Sequence, residues 1–154
     1  MRIVIDKAKR QLVLRQGRSV LYRCPVRLGS APVGHKRCEG DGRTPEGRYF
    51  VCSRNPRSKF HLALGLSYPN RRDAETALRQ GRIDRLTCRS ILRAERKRIR
   101  PPWDTPLGGW IMIHGESPEG KTGDWTAGCV AVSNSDMEVL FRWGYAGLRV
   151  VIRP

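Results

Sequence analysis

Two side chains in the stretch Ile113–Asn134, IHGESPEGKTGDWTAGCVAVSN, have types that do chemistry together: His114 and Cys129. A cysteine reacts as its thiolate, and a free thiol with a pKa of about 8.5 is mostly protonated at neutral pH. It needs a base, and a neutral imidazole is suited to that task. Gly128 directly precedes Cys129, so a bulky substrate can approach the sulfur, and the N–H groups of Gly128 and Cys129 can face a developing oxyanion. The alternative is a buried histidine and an inert buried thiol, which is how most such residues occur.

These two residues must be held by scaffold. His114 follows the apolar run Trp110-Ile111-Met112-Ile113 and precedes Gly115, as at the end of a buried strand, and Gly128–Val132 reads as a second strand. Upstream, 2–5, 11–15, 47–52 and 61–66 have strand composition, with Asn55-Pro56 ending the third of these. Val20, Tyr22, Cys24, Val26 and Leu28 alternate with polar residues, which predicts one half-buried strand with all five facing inward. The glycine-rich segment 29–47 is loop. From 71 to 99 the period becomes helical, giving two basic helices before Pro101-Pro102. Ser135 and Glu138 fit a capping box, with Asn134 as an alternative cap, for a helix presenting Met137, Leu140 and Phe141. A last strand covers 147–152. The fold class expected is mainly β with a few helices, in one domain over 1–154.

The chain carries 30 Lys+Arg against 14 Asp+Glu, a net charge of +16 and a pI near 10.8. Polyanions are the expected partners: envelope polymers, anionic membrane surfaces or nucleic acid. The densest basic run, 93–100, also reads as a solvated helix face. The five cysteines, Cys24, Cys38, Cys52, Cys88 and Cys129, form no CxxC pair, and only His35/Cys38 has metal-ligand spacing, so no metal site is expected. In an oxidising compartment four could pair and leave Cys129 free, although a small buried thiol suffices to explain Cys24. No stretch reaches membrane-spanning length, and the chain as given shows no export leader, which leaves the cytoplasm or a leader lying upstream.

Longer motifs narrow this. Gly40–Gly47 reads GDGRTPEG, and Asp124–Val132 reads DWTAGCVAV. With Gly34-His35-Lys36, Arg54-Asn55-Pro56, Phe60-His61 and Ser67-Tyr68-Pro69-Asn70, they resemble the L,D-transpeptidase catalytic domain of bacterial cell-wall enzymes, in the subgroup with GDGRTPEG and DWTxGCIAV motifs. The resemblance implies a β-sandwich-type fold, to which the basic helices around 71–99 are an excursion. It implies that Cys129 attacks the carbonyl of the third residue of a peptidoglycan tetrapeptide stem, releases D-alanine and passes the acyl group to an amine or to water. His114 is then the base, the carbonyl of Gly115 its orienter, and Gly128 and Cys129 the oxyanion hole. Substrate contacts fall to Thr126, Tyr68 and Trp125, with no cofactor or metal. Thr126 is equally placed to structure the loop end, and Tyr68 to be a core tyrosine. Arg43, Thr44 and Glu46 read as scaffold, and Asn134 as a helix cap. Partners are peptidoglycan stem peptides and anionic envelope polymers rather than nucleic acid, in the periplasm or cell envelope. The sequence departs from the family's commoner pattern at Ala127 and Ala131, where polar residues are frequent, and the His114–Thr126 interval is short. A competing reading is a polyanion-binding protein that uses the 71–99 helices and carries a vestigial site.

Overall fold

A computed structural model describes residues 1–154. Its strands follow from alternation. In β1 (Arg2–Asp6) Ile3 and Ile5 point inward, and in β2 (Gln11–Gln16) Leu12 and Leu14 do. β3 (Ser19–Pro25) pairs with β2, but a bulge at Leu14/Arg15 shifts the register. Tyr22 and Cys24 therefore face inward while Val20, expected inside, is exposed. β4 (Gly47–Ser58) and β5 (His61–Leu66) form an antiparallel pair. Asn55-Pro56 does not end β4, because a second register irregularity between Asn55 and Ser58 spares the proline a ladder bond.

β6 (Met112–His114) and β7 (Val130–Ala131) are parallel neighbours, and β8 (Arg149–Arg153) lies between β1 and β4. Both site strands are shorter than expected. Trp110, with φ 57°, turns the chain before β6 begins. The eight strands run in the order β3-β2-β1-β8-β4-β5-β6-β7. Arg27, just beyond β3, pairs with Ala131 of β7, so the curved sheet's two ends meet around one core of 27 buried residues.

Three helices pack against this sheet. α1 (Arg71–Arg79) starts at a capping box formed by Asn70 and Asp73, and α2 (Arg85–Lys97) at Asp84. Their exposed faces are basic, yet Ala74, Ala77, Cys88 and Ile91 belong to the main core, so the pair is part of the fold. Truncating the fully buried Ile91 to alanine should cost about 2–5 kcal/mol. α3 (Asn134–Trp143) is capped by Ser133, whose Oγ accepts from Asp136 N at 3.1 Å, rather than by Ser135 or Asn134. All five cysteines are free thiols, with Cys24 and Cys88 buried. No helix is long and apolar enough to cross a membrane.

Candidate active site

The β6–β7 register sets the site. Ile113 pairs with Val130 and both side chains enter the core, while His114 pairs with Ala131. Paired residues share a face and strand faces alternate, so Cys129, Ala131 and His114 lie on the same side of the sheet. Cys129 is one residue before β7, opposite Met112, whose N–H donates to Sγ at 3.4 Å.

His114 is 2 % exposed, with its ring stacked on Phe60 at 4.3 Å and with Trp125 at 5.5 Å. Its Nδ1 lies 2.8 Å from the Gly115 carbonyl. A carbonyl only accepts, so the proton is on Nδ1 and Nε2 keeps its lone pair. Burial lowers the imidazole pKa below its usual value; the Gly115 contact opposes this and nearby Lys59 adds to it. The ring is therefore neutral at neutral pH. The peptide that supplies this carbonyl is gripped from its other end: Glu116 N–H donates to Asn134 Oδ1 at 2.9 Å. Asn134 is thus neither cap nor ligand but an anchor for the orienting peptide. A Cβ on Gly115 would fall 2.4 Å from that Oδ1 and 2.6 Å from the Phe60 carbonyl, so the close fit requires glycine here.

Burial pushes the Cys129 thiol up to about 11, with the Met112 N–H and the charges of Lys36 and Lys59 opposing. The thiol donates to the Trp110 carbonyl at 3.3 Å and makes no hydrogen bond to His114. The resting pair is a neutral thiol and a neutral base on one face, not an ion pair. Trp110 itself is 60 % exposed beside the sulfur and packs on Trp103, ring to ring at 4.7 Å.

The turn that presents Cys129 is pinned from three directions. Asp124 accepts from Leu28 N at 2.8 Å and from the Arg10 guanidinium at 2.8 and 3.1 Å. Thr126 is buried; its Oγ1 donates to the Cys129 carbonyl at 2.7 Å and accepts from Gly128 N at 3.1 Å. Gly128 has φ 136°, and a Cβ there would meet the Arg43 carbonyl at 2.7 Å. Thr126 is therefore a turn clamp, and it occupies one of the two expected oxyanion donors. The Cys129 N–H has no protein acceptor.

The 40–47 loop lies behind this turn. Thr44 Oγ1 accepts from Gly29 N at 3.0 Å, and Asp41 accepts from the N–H groups of Arg37, Cys38 and Arg43 and from Lys36 Nζ. Burial works to raise the Asp41 pKa, but these donors hold it below the usual carboxylate value. Lys7, also buried, bonds the carbonyls of Gly34 and Thr44 and the Glu46 carboxylate. Sequence reasoning missed both lysines, because lysine is a surface residue by default and nothing local marks these two as inward.

Tyr68 stands in the core, fully buried, with its hydroxyl donating to the Leu107 carbonyl at 2.9 Å, and it borders a separate cavity of about 270 Å³. Trp125 does stand at the site, against His114, and it also lines a neighbouring cleft of about 690 Å³ with Arg10, Arg27, Glu116, Lys121 and Ala131, a cleft that His114 and Cys129 themselves do not line. No group of three or more His, Cys, Asp or Glu side chains is placed to hold a metal ion.

Comparison with known proteins places the fold. No curated protein matches the chain. Among solved structures, the helical cell shape determining protein Pgp2 from Campylobacter jejuni superposes with a TM-score of 0.69 at 20% identity, over 98% of this chain and 46% of that one. Bdellovibrio bacteriovorus Bd1075 gives 0.58 at 23% identity over 99% and 47%, and an L,D-transpeptidase from Xylanimonas cellulosilytica gives 0.53 at 23% over 98% and 59%. The chain thus spans about half the length of these relatives and shares their fold. The family described as YkuD, L,D-transpeptidase catalytic domain, matches residues 1–152, and the chain belongs to that family.

Proposed function

We propose that this domain is a cysteine acyltransferase acting on peptidoglycan stem peptides in the cell envelope. The observation that carries this is the unclaimed Nε2 of His114 on the same sheet face as the Cys129 sulfur, with Nδ1–H fixed on the Gly115 carbonyl. Sγ leaves the Trp110 carbonyl, gives its proton to Nε2 and bonds to the carbonyl carbon of the third stem residue. A neutral thiol and a neutral imidazole make this proton transfer concerted with attack rather than prior to it. The developing oxyanion faces the Cys129 N–H first, and it gains Gly128 N–H only by displacing the Thr126 hydroxyl. Collapse breaks the C–N bond to D-alanine, whose amine takes the proton back from His114. An amine or water then attacks the thioester and frees Sγ. The net charge of +16 suits retention among anionic envelope polymers.

Intact mass after incubation with tetrapeptide muropeptides, or with a carbapenem, tests this reading. The protein should gain one acyl mass, and Cys129→Ala should gain none while keeping its circular dichroism. An adduct on Cys129→Ala overturns the assignment. Products formed with and without an added amine separate transfer from hydrolysis.

A further inference from the structure

We propose that Arg27 forms a carboxylate subsite beside Cys129 and receives the C-terminal α-carboxylate of the donor stem peptide. The proposal rests on the acyl-transfer reading for the identity of the substrate, and it goes further by saying which charge on that substrate is read, and where.

Register places Arg27 on the face of the reactive pair. Arg27 N donates to the Ala131 carbonyl at 2.8 Å, and Ala131 N donates to the Arg27 carbonyl at 2.9 Å. This reciprocal exchange makes them a directly opposed antiparallel pair, with both side chains on one face. Burial agrees: Val26 and Leu28 enter the core on either side of Arg27, as Val130 and Val132 do around Ala131. Since Ala131 is also opposite His114, a single row runs His114, Ala131, Arg27 across three neighbouring segments. Cys129 is two residues from Ala131 on the same face. Ala131 contributes only a methyl group to this row, so a long side chain at 27 can lean over it toward the sulfur.

Among the cations that border the 690 Å³ cleft, only Arg27 is unmatched; Lys59, whose charge acts on both His114 and Cys129, lies outside that cleft. The other cations bordering the 690 Å³ cleft are matched: Arg10 with Asp124 at 2.8 Å, and Lys121 with Glu119 at 2.8 Å. Arg27 has no carboxylate within 4.0 Å, and its guanidinium makes no hydrogen bond. It is an exposed, unmatched fork with the geometry to hold a carboxylate through two parallel bonds.

Reach selects which carboxylate. Strand spacings put the Arg27 and Cys129 Cα atoms roughly 9 Å apart, a gap that an extended arginine and a substrate can close between them. In the peptide being cleaved, only one nitrogen and one Cα separate the attacked carbonyl from the terminal carboxylate, about 4 Å. A donor whose carbonyl sits at Sγ therefore brings its terminal carboxylate within reach of Arg27. The carboxylate departs with D-alanine, so the contact selects the donor and is absent from the thioester.

Binding in the Cys129→Ala background tests the subsite without needing turnover. Calorimetry with a tetrapeptide stem and with its C-terminal amide should show the acid binding at least tenfold tighter. Adding Arg27→Ala should abolish that preference, Arg27→Lys should restore part of it, and Lys121→Ala should leave it within twofold. Equal affinity for acid and amide, or a preference that survives Arg27→Ala, overturns the proposal. With active protein, Arg27→Ala should raise KM for the acid at least tenfold and leave kcat within threefold. A wild-type protein that forms no adduct fails the acyl-transfer reading separately, because the acid-to-amide binding ratio still decides the role of Arg27.

Discussion

His114 and His35 are the same residue held by opposite backbone groups. His114 Nδ1 meets the carbonyl of Gly115 at 2.8 Å, which forces the proton onto Nδ1 and leaves Nε2 basic. His35 Nδ1 meets the N–H of Glu46 at 2.9 Å, which forces the proton onto Nε2, and Nε2 is then taken by Asp73 at 2.9 Å. Asp73 is buried and also accepts from the Tyr49 hydroxyl and from Asn70 N at the start of α1. His35 is a strut between the 34–46 loop and α1, with no nitrogen left over; His114 keeps Nε2 free for the role of base proposed for it. What separates them is whether the backbone offers a carbonyl or an N–H to Nδ1, a choice that neither residue's immediate sequence displays.

The largest effect that probes this difference is loss of the base. His114→Ala should slow acyl-adduct formation by about 10²- to 10⁴-fold, the usual worth of a placed general base, without unfolding the protein. His35→Ala should instead lower stability by about 1–2 kcal/mol, because Asp73 and the Glu46 N–H lose a partner in a partly exposed setting. Its adduct rate, measured well below the unfolding temperature, should stay within a few-fold of wild type. Comparable losses of rate in the two variants would break the distinction.

Titration sharpens it. Burial holds the folded His114 pKa below the unfolded value of 6.5, so between the two the unfolded chain binds more protons. Stability is therefore full above pH 6.5 and declines as pH falls toward the folded pKa, below which the loss is complete. Urea midpoints at pH 7.5 and pH 5 should fall further for wild type than for His114→Gln, which has no proton to gain. The acylation rate should begin to decline at a lower pH than it would for a free imidazole, because burial holds the His114 pKa below its usual value. A rate that halves at pH 6.5 would show an imidazole as exposed as a free one.

Much of the fold was legible because alternation and composition are local. β1, β2, β5, β8 and the helical pair fall where apolar periodicity puts them. The errors share a cause: each is a local break in backbone regularity, a bulge, a register shift or a positive φ, that side-chain periodicity does not display. The β2 bulge turns Val20 outward, a register shift lets β4 run through Pro56, and Trp110's backbone delays β6. At the site, the types and spacing of His114, Gly115, Gly128 and Cys129 were readable, and so was the scaffold role of Thr44 and Glu46. Arg27's place was not, since it follows from a bridge between residues 104 positions apart. The use of Thr126 and Gly128 on each other was equally hidden, because a hydroxyl near a turn is as able to meet a substrate as its own backbone.

The smallest effect reaches the base through one intervening peptide. The Gly115 carbonyl and the Glu116 N–H belong to a single planar unit, so Asn134, by accepting from that N–H, fixes the plane on which the His114 tautomer depends. Asn134→Ala removes one partly exposed hydrogen bond, about 0.5–1.5 kcal/mol, and lets the plane rotate. The expected result is a three- to tenfold slower adduct rate, with the steepest loss at low pH as the imidazole escapes its fixed tautomer and protonates more readily. Asn134→Asp retains the acceptor and should recover most of the rate, whereas a helix cap or substrate contact at 134 would not tie recovery to the His114 pH profile. Ser133→Ala provides the contrast: it removes the actual cap of α3, and should lower stability by about 1 kcal/mol while leaving that profile where it was.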